Sequence, residues 1–497
     1  MDATRAECLK GTREDLLEFV KCWIDSSPER VLWLYGLAGS GKSTLSTTIA
    51  NSLREQGQLG AFVFFNRDVE ERNQPRNVIR TLAHQFALRD MGIADAIASA
   101  IKATPDVTQW PLRKQFFKLL VEPLSTFPPS EGPVVLLLDA LDECGSPQDR
   151  RDLLTILAEE SVSLPSYIRI FITSRAEPDI RKVFMNKPRI LLHELDLASH
   201  HNINDIKLFV HHRMKDIRSL KGSLGLAPDW PGDVAMHALV ERAAGLFVWA
   251  TTACLFIEKG WDPRTRLDSL LRDDVNINAQ TALDRLYTTA LQTAGCWDDE
   301  ESCSFFRTIM GTILVARNPI TGMTIDKLLS RYQPSISPSI ALIEQLGCVL
   351  CGSQSEPIRI LHPSFADFLK DLSRCGSKSW YIDAPLHNQS LTNCCIRQLD
   401  EELKRNICNL KLSRATVNEH LPDKATSYAS ISWIDHICMI TSGTRLVADI
   451  LEPFLLRHLL HWLEAMSILK KSRTTLRLLC RLLDYLKVRI SFPSEAN

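Results

Sequence analysis

The sequence has no excess of charge of either sign. Its 497 residues include 58 Lys and Arg against 59 Asp and Glu, a formal net charge of −1. A protein that binds nucleic acid through bulk electrostatics carries a surplus of basic residues to neutralise phosphates. We therefore expect no DNA partner. Hydrophobic residues make up 45% and charged residues 24% of the chain, which is ordinary for a soluble globular protein.

Long hydrophobic runs are also missing. The longest apolar stretch covers residues 245–257, whereas a membrane-spanning helix needs roughly 20 apolar residues. The first 17 residues are polar and charged, without the apolar region of a signal peptide. These absences predict a cytoplasmic protein with no transmembrane segment, in which residues 245–257 form a buried helix.

The 14 cysteines show no spacing typical of metal ligands. Cys348 and Cys351 bracket two residues and Cys394 adjoins Cys395, but no second pair completes a zinc set. We predict reduced, mostly buried thiols. No internal repeat or low-complexity segment is present, and the length predicts roughly three or four folding units.

What the first half does contain is an alternation of strand-like and helix-like segments. Helical patterns cover residues 43–56 and 78–88. Short apolar runs typical of buried strands lie at residues 31–35, 60–66, 134–138, 168–173 and 189–195. Strands separated by helices predict a parallel sheet with helices on both faces.

A glycine-rich segment, WLYGLAGSGKST at residues 33–44, joins the first strand to the first of these helices. It fits the phosphate-binding pattern GxxxxGK[ST] in the context that the pattern requires. Its glycines let successive backbone N–H groups face one anion, and the helix N-terminus adds its dipole. Lys42 is predicted to reach the β- and γ-phosphates and Ser43 to ligate Mg²⁺. The predicted nucleotide contacts are Gly36, Leu37, Ala38, Gly39, Ser40, Gly41, Lys42, Ser43 and Thr44.

The strand at residues 134–138 ends in Asp139, an arrangement typical of the Walker B acid that holds Mg²⁺ through hard oxygen ligands. Ala140 follows, where most AAA+ ATPases carry the catalytic glutamate. The next acids are Asp142 and Glu143. Two interpretations stay open for them: one positions water for hydrolysis, or both simply cap the following helix. With Lys42 they are the catalytic candidates.

Arg175 follows the strand at residues 168–173. An arginine at the carboxyl edge of a parallel sheet lies beside the crevice where ligands bind, so Arg175 is a further catalytic candidate that senses the γ-phosphate through charge-assisted hydrogen bonds. The alternative is pairing with Asp142 or Glu143. The additional strand at 60–66, between the loop strand and the acidic strand, indicates an AAA+-like layout.

Beyond residue 200 the pattern is almost entirely helical. Helices are predicted at residues 203–220, 234–258, 280–294, 301–315, 325–331 and 337–346, followed by a hairpin of 348–351 with 358–361 and a helical tail from 386. Three helices followed by a hairpin predict a winged helix. Its candidate recognition helix, residues 335–347, contains no Lys or Arg, which argues against reading DNA.

Several of these segments together resemble the NACHT group of STAND ATPases, most closely the fungal NOD-like-receptor type. They are GLAGSGKST, LLLDALDEC, FITSR, CLKGTRE at residues 8–14 and LHPSFADFL at residues 361–369. The resemblance implies an α/β P-loop NTPase domain followed by α-helical, winged-helix and α-helical domains. The implied segments are a lead at 1–30, the nucleotide-binding domain at 31–200, and the three later domains at 201–275, 276–375 and 376–497.

The resemblance also implies ATP or ADP with Mg²⁺ as cofactors, and two more groups of binding residues. Gly11, Thr12 and Arg13 would lie against adenine, largely through backbone contacts. His362 would contact the β-phosphate of bound ADP and lock a closed form; the alternative is a core histidine before Pro363 at a helix start. Phe247 stands where related proteins carry an adenine-side proline, and it either stacks on adenine or belongs to the core.

The function that this resemblance implies is a signal-transduction switch. ADP holds the closed state, and ATP exchange opens the chain to self-associate, in fungal non-self recognition or programmed cell death. Hydrolysis would be slow and regulatory. No effector domain or repeat sensor is evident, so separate effector or sensor proteins are expected partners. The alternatives are an AAA+-like remodelling ATPase with steady turnover and a scaffold that binds nucleotide without hydrolysing it.

Overall fold

The computed structural model divides into two compact units, Met1–Leu286 and Tyr287–Asn497. The residues that it describes are 5–67, 69–126, 132–185, 187–272, 278–295, 297–330, 338–377, 379–408, 421–440 and 444–490.

A five-stranded parallel sheet forms the centre of the first unit. The strands are β1 Val31–Tyr35, β2 Leu59–Phe64, β3 Val134–Asp139, β4 Ile168–Ser174 and β5 Ile190–Glu194. Each lies where the apolar runs predicted a strand, within a few residues at the ends. The prediction of a parallel sheet is therefore confirmed.

The α-helices of this unit lie before, between and after the strands. Their bounds are Glu14–Ser26, Lys42–Glu55, Pro75–Arg89, Met91–Ala103, Leu112–Phe116, Glu122–Thr126, Arg151–Thr155, Pro178–Phe184, His200–Leu220, Asp233–Ala243, Phe247–Lys259 and Pro263–Leu271. Successive side chains of β1 enter different cores: Trp33 packs in one, and Leu32 and Leu34 in the other. Helices cover both faces, which is why the strands are continuously apolar.

The strand order is β2-β3-β4-β1-β5, so β4 lies between the loop strand β1 and the acidic strand β3. The strand that separates them in the chain, β2, is at the edge of the sheet. The prediction that the strand at 60–66 separates β1 from β3 therefore holds along the chain but not in the sheet, where β4 lies between them. Because β1, β3 and β4 are adjacent and parallel, Tyr35, Asp139 and Ser174 end at one edge of the sheet.

One predicted helix is interrupted. Residues 234–258 form two helices, Asp233–Ala243 and Phe247–Lys259, because the chain turns between them. Ala244 and Gly245 have φ of 44° and 80°, and a Cβ at Gly245 would lie 2.3 Å from the carbonyl oxygen of Leu197. Most of the apolar stretch 245–257 lies in the second helix and is buried, as predicted. Among the described helices, none is long and apolar enough to cross a membrane.

In the part of the second unit that the structure describes, the named strands form one antiparallel hairpin, β6 Leu350–Cys351 with β7 Arg359–Ile360, and the other named elements are helices. Its helices are Ala279–Ala294, which contains the division between the units, Glu300–Val315, Gly322–Ser330, Ile340–Gln345, Pro363–Lys370, Leu372–Cys375, Ala384–Glu402, Lys424–Ile437, Thr444–Ile468 and Ser472–Ile490. The predicted order of helices followed by a hairpin is present. Residues 331–337, which include part of the candidate recognition helix, lie outside the described residues.

The cysteines that the structure describes are all free, and most are buried, as predicted. Burial raises the pKa of the thiols of Cys144, Cys254 and Cys394 to about 12, which keeps them protonated and unreactive. They behave as small apolar core residues.

Candidate nucleotide-binding site

The glycine-rich loop connects Tyr35 at the end of β1 to Lys42 at the start of a helix. Gly39 and Gly41 have φ of 79° and 91°, a left-handed conformation that glycine adopts without steric cost. The loop therefore ends directly at a helix N-terminus, where unpaired backbone N–H groups and the helix dipole favour an anion. This is the geometry that the phosphate-binding pattern predicted.

The Lys42 side chain folds back over the loop. Its Nζ donates hydrogen bonds of 2.8 Å to the carbonyl oxygens of Gly36 and Leu37, and lies 3.5 Å from Ser40 Oγ. Only 9% of the residue is exposed. Burial lowers the pKa of Lys42 to about 8; the nearby Asp142 carboxylate opposes this shift and Arg175 adds to it.

This lowered pKa predicts a pH-dependent affinity for phosphate. Below pH 8 Lys42 carries the charge that a phosphate needs, and above pH 8 the ligand-free protein loses that proton. We expect ADP affinity to fall by up to about tenfold per pH unit above 8, the slope for one linked proton. Calorimetric titration of ADP between pH 7 and pH 9.5 measures it.

Lys42→Arg is the matched variant, because a guanidinium keeps its charge throughout this range. A flatter pH profile in Lys42→Arg than in the wild type assigns the effect to Lys42. An equally steep profile in both proteins would contradict the assignment.

Asp139 is fully buried at the end of β3, and protein groups occupy both carboxylate oxygens. Oδ1 accepts hydrogen bonds from Ser46 Oγ at 3.0 Å and Thr173 Oγ1 at 2.6 Å. Oδ2 accepts one from Arg5 Nη2 at 2.5 Å. Asp139 could be predicted from the sequence, but these three partners could not, because each belongs to a segment that is distant from Asp139 in the chain.

The donor chemistry around Asp139 fits a magnesium ion. A carboxylate and hydroxyl groups are the hard oxygen donors that Mg²⁺ prefers. Ser43, the predicted second ligand, lies in the first turn of the helix Lys42–Glu55, one turn before Ser46. Asp139 and Ser43 would hold the ion, and its charge would offset that of the nucleotide phosphates.

Asp142 is held by Arg175. The Arg175 backbone N–H donates to Asp142 Oδ1 at 3.0 Å, and Arg175 Nε lies 3.3 Å from Asp142 Oδ2. The pairing that was the alternative for Arg175 is thus present. It brings Arg175 to the phosphate edge of the sheet, where both residues act on the pKa of Lys42. A role in sensing γ-phosphate stays a prediction.

Glu143 lies beside Asp142 in the short turn Leu141–Glu143. Its Oε2 accepts a hydrogen bond of 3.2 Å from the Arg67 backbone N–H. The next helix begins at Arg151, and its N-terminus has no side-chain cap. The alternative that these acids cap the following helix is therefore wrong, and positioning of water stays a prediction.

Arg13 connects the N-terminal segment to the loop. Its Nη2 donates a hydrogen bond of 2.6 Å to the Ser40 carbonyl oxygen, and its backbone N–H donates to Asp205 Oδ2 at 3.1 Å. Arg13 is 5% exposed, and burial is the largest cause of the lowered pKa of its guanidinium. The prediction from family resemblance placed Arg13 against adenine through its backbone; the structure adds a side-chain contact with the loop.

The helix Phe247–Lys259 contacts the same loop. The Val248 backbone N–H donates to the Gly39 carbonyl oxygen at 3.0 Å, and the Phe247 ring lies 4.7 Å below the Arg13 guanidinium. A Cβ on Gly41 would lie 3.6 Å from Arg13 and 3.8 Å from Phe247. Phe247 is half-buried and also packs edge-to-face on Phe209, with ring centres 5.9 Å apart, whereas adenine stacking stays a prediction.

Thr12 and His362 make local hydrogen bonds. Thr12 Oγ1 donates to the Leu9 carbonyl oxygen at 2.7 Å, next to the loop-bound Arg13. In the second unit, half-buried His362 caps the helix Pro363–Lys370, where its Nδ1 accepts from the Ser364 N–H at 3.2 Å. An accepting Nδ1 places the ring proton of neutral His362 on Nε2. The predicted adenine and β-phosphate contacts of these residues stay predictions.

Comparison with known proteins gives three kinds of similarity. The family model described as Nephrocystin 3, N-terminal, matches residues 11–175, which run from the GTRE segment to Arg175. The vegetative incompatibility protein HET-E-1 of Podospora anserina is 24% identical over 94% of this chain. The chain spans 36% of the length of that relative.

Two solved structures are similar over much of the chain. One is a signal transduction ATPase with numerous domains, carrying a tetratricopeptide repeat sensor, from Pyrococcus horikoshii. It has a TM-score of 0.47 and 11% identity over 99% of this chain and 60% of that one. The other is Cdc6p from Pyrobaculum aerophilum, with a TM-score of 0.31 and 12% identity over 79% of this chain and 97% of that one.

Proposed function

We propose that the chain is a NACHT-type P-loop NTPase of the STAND class, a molecular switch whose state is set by bound ADP or ATP. ADP would hold a closed state, and exchange for ATP would open the chain to self-associate. Because HET-E-1 is named for vegetative incompatibility, we extend the proposal to fungal non-self recognition or programmed cell death in the cytoplasm.

The observation that carries this proposal is the attachment of the loop to its neighbours. The Ser40 carbonyl oxygen accepts a hydrogen bond from the Arg13 side chain, and the Gly39 carbonyl oxygen accepts one from the Val248 N–H. A shift of the loop between its ADP and ATP forms must therefore move the helix Phe247–Lys259 or break these bonds. Such coupling is what a switch needs.

Slow hydrolysis is supported by the residues after Asp139. Ala140 has a left-handed backbone with φ of 58° and no group that activates water. The carboxylate of Asp142 is bound to Arg175, and that of Glu143 to the Arg67 N–H. A role of either carboxylate in activating water would compete with these contacts, which favours retention of nucleotide over steady turnover.

The remaining parts of the proposal follow the family resemblance. Domains are proposed at 31–200, 201–275, 276–375 as a winged helix, and 376–497. His362 would donate from Nε2 to the β-phosphate of ADP, and Arg175 would leave Asp142 for the γ-phosphate of ATP. Nearly complete switching requires a preference of about 10⁴ between the two states. Effector and sensor proteins are the proposed partners.

The nucleotide content of the purified chain tests this proposal. We expect about one ADP per chain when the protein is denatured and the released nucleotide is quantified by chromatography. We also expect ATP turnover well below 1 s⁻¹, the lower end of ordinary enzyme rates. Steady turnover of several per second without an activator would contradict the switch and favour a remodelling ATPase.

A matched pair of variants tests His362 within the same assay. His362→Leu removes both the helix cap and the phosphate donor, whereas His362→Asn keeps a good N-cap acceptor. Both are expected to release ADP and to form larger species in light scattering, while exchange of the exposed His237 for leucine is not. If His362→Asn retains ADP, His362 serves only as the helix cap and does not contact the phosphate.

A further inference from the structure

The N-terminal segment reaches into the predicted metal site through one side chain. Arg5 Nη2 lies 2.5 Å from Asp139 Oδ2, and the Asp139 side chain is fully buried while that of Arg5 is 22% exposed. The Arg5 guanidinium also lies 4.4 Å from the ring centre of Phe64 and 5.7 Å from that of Phe62. A charge-assisted hydrogen bond and a cation–π contact together hold Arg5 at the end of β3.

The backbone around Arg5 is tied to the helix that follows the phosphate-binding loop. The Cys8 N–H donates to Thr48 Oγ1 at 2.9 Å, and Glu7 Oε1 accepts from Asn51 Nδ2 at 2.7 Å. Residues 5–9, the Arg5 segment, therefore lie along the helix Lys42–Glu55 and end at the Walker B acid. Among these contacts, the one between Arg5 and Asp139 joins two opposite charges.

Arg5 and a magnesium ion compete for the same carboxylate. Two cations on one buried carboxylate repel each other strongly, because the low local dielectric screens them poorly. Within the described part of the chain Arg5 Nη1 is buried and has no hydrogen-bond partner. An unpartnered buried donor is unfavourable, and this cost weakens the binding of Arg5 at Asp139. A divalent ion can therefore displace the Arg5 side chain.

We propose that Arg5 is an internal counter-ion of Asp139 that Mg²⁺ displaces, so that loading of the metal frees the Arg5 segment from the helix Lys42–Glu55. This inference rests on the proposed function, because it places a magnesium nucleotide at this site. It adds a specific consequence: the metal, and not the nucleotide alone, controls whether the Arg5 segment stays bound to the helix Lys42–Glu55.

Metal affinity gives the first test. Mn²⁺ is titrated into the full chain saturated with ADP, and free Mn²⁺ is measured by electron paramagnetic resonance. Arg5→Met keeps the apolar contact with Phe64 but removes the charge, so Mn²⁺ should bind roughly tenfold more tightly, given the typical strength of a hydrogen bond between charged groups. Arg5→Lys should restore the wild-type affinity.

Arg72 supplies the matched control. Its guanidinium lies 4.4 Å from the centre of the same Phe64 ring. Arg72→Met therefore changes the charge and the aromatic contact near the site without removing the Arg5 bond to Asp139. We expect Mn²⁺ affinity within about twofold of the wild type for Arg72→Met.

Hydrogen exchange of the Cys8 amide gives the second test, because that N–H is bonded to Thr48. In the wild type saturated with ADP, the amide should exchange slowly in EDTA and faster after Mg²⁺ is added. In Arg5→Met it should exchange fast under both conditions. This readout follows the segment itself and requires no hydrolysis.

The outcomes separate this inference from the proposed function. If the wild type binds ADP, but Arg5→Met leaves both Mn²⁺ affinity and Cys8 exchange unchanged, the inference is wrong and the proposed function stands. If Arg5→Met instead weakens ADP binding at unchanged Mn²⁺ affinity, Arg5 is a nucleotide ligand and the inference is also wrong. A wild type that binds neither ADP nor ATP overturns both.

Discussion

Lys42→Ala is expected to abolish retention of ADP and to weaken its binding at least about a hundredfold. The Lys42 ammonium is already inside the loop, where it donates to the Gly36 and Leu37 carbonyl oxygens. Phosphate oxygens placed in the loop would take over these hydrogen bonds. Each hydrogen bond to a charged group contributes about 1.5–3 kcal/mol, so the loss of two gives a factor of roughly 10² or more.

The measurement is the ADP content of the purified variant, together with calorimetric titration of added ADP. Arg54→Ala, on the exposed side of the same helix, is the control for the loss of one positive charge and should bind like the wild type. Thermal unfolding of ligand-free protein shows that both variants fold. If the Lys42→Ala variant retains as much ADP as the wild type, the glycine-rich loop does not bind the nucleotide.

Gly245→Ala is expected to destabilise the first unit by about 2–5 kcal/mol. A left-handed conformation costs a residue with a side chain about 1–2 kcal/mol, and forced overpacking adds typically 1–3 kcal/mol. Both apply at Gly245, with φ of 80° and a new Cβ only 2.3 Å from the Leu197 carbonyl oxygen. That oxygen belongs to the backbone and cannot move aside cheaply.

The same substitution should weaken nucleotide binding, because Gly245 positions the start of the helix Phe247–Lys259. Displacement of that start would break the hydrogen bond from the Val248 N–H to Gly39. Gly222→Ala is the control, since a Cβ there would meet open space. Chemical denaturation and ADP titration measure the two effects. A Gly245→Ala protein as stable as Gly222→Ala would show that the turn at 244–245 is not under steric constraint.

The features that could be predicted from the sequence are those encoded by neighbouring residues. The strands follow from short apolar runs between helices, and the loop follows from glycines at fixed spacing before Lys42. The helix break at Ala244 and Gly245 could not be predicted, because its cause is not encoded by neighbouring residues. A single glycine in an apolar stretch is compatible with a buried helix, and the obstacle, Leu197, belongs to another segment.

The contacts of the site that were not predicted join residues far apart in the chain. Arg5 meets Asp139, Thr173 meets the same carboxylate, and Arg13 lies between Ser40 and Phe247. No local sequence pattern around Arg5 indicates that its partner is Asp139. For Arg175 the sequence left two interpretations open, and the structure shows the pair with Asp142.

Short-range patterns in the sequence predict a parallel α/β sheet, a phosphate-binding loop at the end of its first strand, and an acid at the end of its third. The conformation of each segment depends on local sterics and on periodic burial, which a linear pattern records. Which charges meet at that edge of the sheet depends on the tertiary fold. Strand order brings β4 between β1 and β3, and the N-terminal segment places Arg5 on Asp139, because ion pairs form between residues that folding, and not chain order, makes neighbours.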